Sequence, residues 1–185
     1  MYYANKPNPC PYYMNSCVYK PRNRYYDYRT CPNPYWICPP MSNPYLWEQY
    51  IELKDYGPNP FVVNIDKATK QNNNYRTALW TGDHLQLTLM SIDPGEDIGL
   101  EIHPHLDQFI RIEAGQGMVE MGDTKENLNF RSTVYEDFAF IIPAGKWHNL
   151  VNTGNKPLKL YSIYAPPQHP HGTVHKTKVD AQASE

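Results

Sequence analysis

Residues 101–108 read Glu101, Ile102, His103, Pro104, His105, Leu106, Asp107, Gln108. Imidazole and carboxylate groups are the usual protein donors to divalent transition metals, so this density of them suggests half of a metal site. On an extended chain, side chains two residues apart share a face, which lets Glu101 and His103 project together. His105 has the same parity, but Pro104 before it has no backbone N–H and belongs at a strand edge or bulge. The strand is therefore expected to end here, leaving His105 at the rim of a site, solvated by preference and a pocket contact to substrate as the alternative. A bulge at Pro104 would instead shift the register and put His105 in the place of Glu101.

Short segments rich in β-branched and aromatic residues must carry these donors. They are FVVNI (61–65), HLQLTLMSI (84–92), FIRI (109–112), GMVEM (117–121), FAFII (138–142), HNLVN (148–152) and LKLYSIY (158–164). Turn sequences such as DPGED, EAGQG, PAG and NTGNKP separate them, and Gly, Pro, Asn and Asp at such joints mark strand ends. Within 84–92, Leu85, Leu87 and Leu89 alternate with His84, Gln86, Thr88 and Met90, the two-residue period of a strand with unlike faces. Parity does not say which of those faces is inside, so Gln86 is a pocket candidate without an assigned side. Many short strands and no long helical period predict an all-β sandwich or barrel. A single short helix is expected near LWEQYIELKDYG (46–57).

Residues 1–45 are chemically distinct. They hold ten of the 16 tyrosines, nine of the 18 prolines and all four cysteines, with a charge of +4 against −6 for the remainder. Proline at this density excludes helix and interior strand, and so little aliphatic surface cannot offset the entropy of ordering. An irregular extension is expected. Cys10 and Cys17 begin and end CPYYMNSC, and Cys31 and Cys38 do the same for CPNPYWIC, a weak internal repeat. The step is too long for a Cys-x2-Cys zinc knuckle; cross-linking thiols are the sharper reading. A formal charge of −2 gives no reason to expect nucleic acid. No apolar run is long enough for a membrane helix, and no basic-then-apolar signal segment opens the chain. A cytoplasmic or spore-coat location is expected.

A longer frame surrounds the 101–108 stretch. Gly95, Glu101, His103, Gln108 and Gly115 fall at the spacing of the first motif of the cupin superfamily, and Pro143, Gly145, His148 and Asn152 match its second. The chain resembles small single-domain cupins, which implies one jelly-roll β-barrel over 46–168, with motifs at 95–115 and 137–152. Residues 169–185, with His169, His171 and His175, are expected to be a polar, solvated tail. Three positions depart from the family pattern: Glu101 stands for its first histidine, Gln108 for its glutamate, and Asp137 for the glycine that opens the second motif.

The resemblance implies a ligand set of Glu101, His103, Gln108 and His148. Two imidazoles and a carboxylate would hold a divalent ion such as Mn, Fe, Ni or Zn, with Gln108 a weak donor through its amide oxygen. Glu101 is the candidate for moving a proton. Ile110 shares parity with Gln108, and Leu150 with His148, so both are expected to line an apolar pocket for a small organic molecule. No Arg or Lys is placed inside the barrel, which counts against a phosphorylated sugar. Oxygenase- or isomerase-like chemistry and a homodimer are what the resemblance implies. The competing reading is a spore-coat-like assembly protein, cross-linked through its Tyr- and Cys-rich extension around a non-catalytic barrel.

Overall fold

The structure, a computed structural model, describes residues 50–183; the extension and its four cysteines lie outside them. In chain order the elements are α1 (Ile65–Gln71), β1 (Arg76–Thr81), β2 (Gln86–Ile92), β3 (Glu101–Ile102), β4 (Asp107–Ala114), β5 (Gln116–Gly122), β6 (Phe130–Tyr135), β7 (Ala139–Ile142), β8 (Trp147–Asn152), β9 (Leu158–Ala165), β10 (Val174–His175) and α2 (Lys178–Gln182). All strand pairings are antiparallel. They form a six-stranded sheet in the order β10-β1-β2-β9-β4-β7 and a four-stranded sheet in the order β3-β8-β5-β6. The barrel is a jelly roll, as the family resemblance implied.

The inner faces of the two sheets meet in one core. Met90, Ile92, Ile110, Ile112, Val119, Leu150, Leu158 and Leu160 are buried together there, so Ile110 and Leu150 form barrel core. The alternation in β2 is settled against intuition. Gln86, Thr88 and Met90 belong to the inner face, and Leu87 and Leu89 point outward into a second cluster with Ala68 and Leu79. That cluster is covered by Ile51, Leu53, Tyr56, Phe61, Val63 and Ile65. The six-stranded sheet is thus covered on its outer face over β1, β2 and β9, so Leu79, Leu87 and Leu89 are sheltered although they point away from the barrel interior.

This covering layer corrects two expectations. Residues 50–64 contain no helix, and FVVNI is not a strand. The chain there runs irregularly across the sheet to Asn64, whose side chain accepts from the Lys67 N–H at 3.0 Å and caps α1. Its apolar residues follow the shape of the outer sheet face rather than any period of their own. The expected polar tail is also corrected. From His169 the chain folds back, pairs β10 with β1, and ends in α2, whose Ala181 packs into the main core. A capping box of Thr177 and Asp180 starts that helix.

The motif glycines serve turns. Gly115 has φ 94°, and a Cβ there would stand 2.9 Å from Leu158 Cα and the Pro157 carbonyl, so only glycine fits. Asp137 has φ 71°, the left-handed conformation that explains the family's preference for glycine. Aspartate tolerates it better than most residues, and its carboxylate accepts from Arg111 Nη2 at 2.7 Å.

The outward cluster makes a stability prediction. Leu89→Ala should cost about 2–5 kcal/mol by chemical denaturation, as a core truncation does. A cost within about 0.5 kcal/mol, typical of a surface site, would show that the outer face is not a true second core.

Candidate metal centre

The site begins with a register. β3 pairs with β8 so that Glu101 lies directly opposite His148, and opposed residues on one face bring their side chains together. His103 follows two residues after Glu101 and is anchored by its carbonyl, which accepts from the Gly145 N–H at 2.8 Å. Glu101 Oε1 is 3.5 Å from His103 Nε2 and 3.3 Å from His148 Nε2, and the two imidazole rings are 5.3 Å apart. One donor atom from each of the three residues lies within 4.8 Å of the others. Donors held about 2.1 Å from one ion in a tetrahedral arrangement stand roughly 3.4 Å apart. The residues present therefore fit a metal ion.

The state of the donors agrees. His148 Nδ1 lies 3.0 Å from the Lys146 carbonyl. A carbonyl can only accept, so Nδ1 carries a hydrogen, and Nε2 is the nitrogen left to meet Glu101 or a metal ion. Such a backbone contact is how proteins orient a ligating histidine. The Nε2 atoms of both His103 and His148 are enclosed without a hydrogen-bond partner, a costly arrangement unless something else satisfies them. Burial alone would push the Glu101 carboxyl up. The two imidazoles outweigh it and bring the group down to about 2, so the carboxylate is ionised at neutral pH.

The remaining predicted residues are dispersed. Gln108 is buried on β4 and donates from Nε2 to Ser162 Oγ at 2.9 Å, while its Oε1 is enclosed without a partner. His105 is exposed in the turn after β3, and the bulge that would exchange it for Glu101 does not form. Gln86 is not a free pocket group. Its Nε2 donates to Thr81 Oγ1 at 2.9 Å and to the His169 carbonyl at 2.8 Å, and its Oε1 accepts from the His169 N–H at 2.9 Å.

That clamp brings in residues that sequence reasoning set aside. A cavity of about 430 Å³ beside the triad is lined by Glu101 and His103 on one side and by His169, Thr173 and His175 on the other. It is therefore polar rather than mainly apolar. The His169 ring meets Tyr164 edge-on at 5.3 Å, and Tyr164 meets His103 edge-on at 5.7 Å. Asp55 completes the fastening, accepting from the Gly172 N–H at 2.9 Å and lying 3.4 Å from His171 Nε2. Arg76 is only 1% exposed, contrary to the expectation of a barrel without basic residues. It was legible only as the first residue of a strand that the periodicity did not single out.

Comparison with known proteins agrees with this architecture. The family model described as "Cupin domain" matches residues 88–183, and the chain belongs to the cupin family. It is similar to the uncharacterized protein YrkC of Bacillus subtilis (strain 168), 67% identical over 138 residues, which cover 75% of this chain and 74% of that one. Protein L612 of Acanthamoeba polyphaga mimivirus is 44% identical over 115 residues, 62% of this chain and 70% of that one. The crystal structure of BH2720 from Bacillus halodurans is 68% identical with a TM-score of 0.70, covering 70% of this chain and 98% of that one.

The buried wall is sensitive to acid. Burial, and then the charge of Arg76, push the His169 imidazole down from 6.5 to about 3. A group lowered on folding contributes stability that is complete above its unfolded value and lost as pH falls toward the folded one. Stability should therefore fall as pH drops from 6.5 toward 3, with an excess slope of up to about 1.4 kcal/mol per pH unit over His169→Phe. Parallel curves for the two proteins in urea denaturation at each pH would contradict this.

Proposed function

We propose that this protein is a metal-binding cupin that binds, or acts on, a small organic molecule in the cavity beside the ion. The observation that carries the reading is the pair of enclosed imidazole Nε2 atoms without partners, both facing one ionised carboxylate. Glu101, His103 and His148 would hold the ion, and the enclosed Oε1 of Gln108 supports it as a weak further donor or as the acceptor for a bound water. Two imidazoles and a carboxylate suit Fe(II) or Mn(II), with Ni and Zn also compatible. The ion would supply Lewis acidity to a coordinated oxygen. The Lys146 carbonyl fixes the His148 tautomer, and Glu101 offsets the charge of the cation. A carboxyl held near 2 is far from the operating pH of an efficient general base, so Glu101 serves as ligand before proton carrier. Oxygenase- and isomerase-type reactions are the classes this donor set suits.

The decisive measurement is metal content by mass spectrometry on untagged protein. About one ion per chain is expected in the parent and loss in both His103→Ala and His148→Ala, since removing one of three donors typically costs far more than the 10–100-fold of an outer-shell partner. Metal-free protein after reconstitution, or equal content in the variants, would overturn the reading.

A second reading concerns assembly. Phe130, Tyr135, Phe138 and Ile141 are exposed on and between β6 and β7, an apolar surface that supports a homodimer. The Cys and Tyr of residues 1–45 support cross-linking into larger assemblies, as in a spore coat. Non-reducing gels should show ladders that vanish when 1–45 is removed; identical single bands would count against a cross-linking role.

A further inference from the structure

The fold-back of the C-terminal segment does more than seal the barrel. We propose that His169, with Thr173 and His175 beside it, forms the recognition wall of the metal cavity, and that this wall receives the anionic group of a small carboxylate. The inference rests on the metal reading for the opposite wall of the same cavity.

Three observations converge on it. The His169 backbone is pinned on both sides by one side chain, Gln86, and its ring is wedged edge-on between Tyr164 and His175, at 5.3 and 6.5 Å. A surface histidine in a tail has no need of such positioning. Its Nε2 is enclosed without a hydrogen-bond partner, on a residue that lines a cavity large enough for a small ligand.

The charge balance selects the ligand. Among the described residues Glu101 is the one carboxylate in the cavity lining, and a divalent ion on it would leave a net positive centre. Behind the other wall Arg76 approaches His175 Nδ1 with Nη1 at 3.5 Å, and its charge is felt at His169. A positive field with imidazole and hydroxyl hydrogen-bonding groups favours a compact anion over a neutral or apolar molecule of the same size. A small carboxylate could place one oxygen toward the ion and the other toward the His169 wall.

The test uses the full chain loaded with zinc, which is diamagnetic, and the probe pair glycolate and glycolamide, alike in shape but not in charge. The imidazole nitrogen resonances of His169, assigned by their loss in His169→Gln, are followed during each titration. Glycolate should shift them saturably and glycolamide should not. His169→Phe keeps the ring against Tyr164 but removes both nitrogens. It should weaken glycolate binding about tenfold or more while zinc content is unchanged, and His169→Gln should recover part of the loss. Equal response to both probes, or unchanged glycolate affinity in a folded His169→Phe, would overturn the proposal. If zinc does not bind, the metal reading fails by itself, and the same titration on metal-free protein decides the wall. A glycolate response at His169 then upholds it; silence removes both.

Discussion

The contact on which the site depends is the pairing of Glu101 with His148 across β3 and β8. β3 has only two residues and would not hold an extended conformation alone. It is kept there by the ladder to β8 and by the Gly145 N–H that takes the His103 carbonyl. Those backbone bonds set three side chains around one point. Withdrawing a carboxylate from water is costly unless opposite charge or donors replace the lost hydration, and here the two imidazoles supply that compensation. The Nε2 atoms of His103 and His148 remain enclosed without a hydrogen-bond partner.

The barrel around this point is graded. Its closed end is aliphatic, with Ile92, Ile112, Leu150 and Leu158 packed between the sheets. Toward the triad the inner face turns polar, through Gln108, Ser162, Tyr164 and Arg76, all almost fully buried. Polar groups at this depth are tolerated when they hydrogen-bond one another, as Gln108 does with Ser162. The outer face of the large sheet is covered over β1, β2 and β9 by residues 51–65 and by α1. The segment fastened by Gln86 and Asp55 closes the polar end. The cavity wall is therefore built from the middle of the folded unit and its C-terminal segment, with Asp55 and Gln86 holding the latter in place.

Much of this was legible beforehand. The strands at 84–92, 109–112, 117–121, 148–152 and 158–164 follow from β-branched runs between turn residues, because that pattern depends on local conformation and on having a face to bury. The two motifs carried the triad, since glycines at positive φ and donors at fixed spacing are local necessities of a turn–strand–turn unit. FVVNI misled because an irregular covering segment buries apolar residues without a period. The histidines at 169 and 175 misled for the converse reason: their surroundings are polar in sequence, and only the return of the chain along β1 encloses them.

From the sequence came the fold class and, through the family resemblance, the two motifs that hold Glu101, His103 and His148, because motifs rest on residue type and short-range spacing. The tertiary structure decided which face of β2 is inside, that Arg76 is buried, that Gln86 is spent on a clamp, and that the C-terminal segment walls the cavity. Those outcomes depend on contacts between residues as far apart as Gln86 and His169, or Arg76 and His175, and no local period records a pairing across that distance.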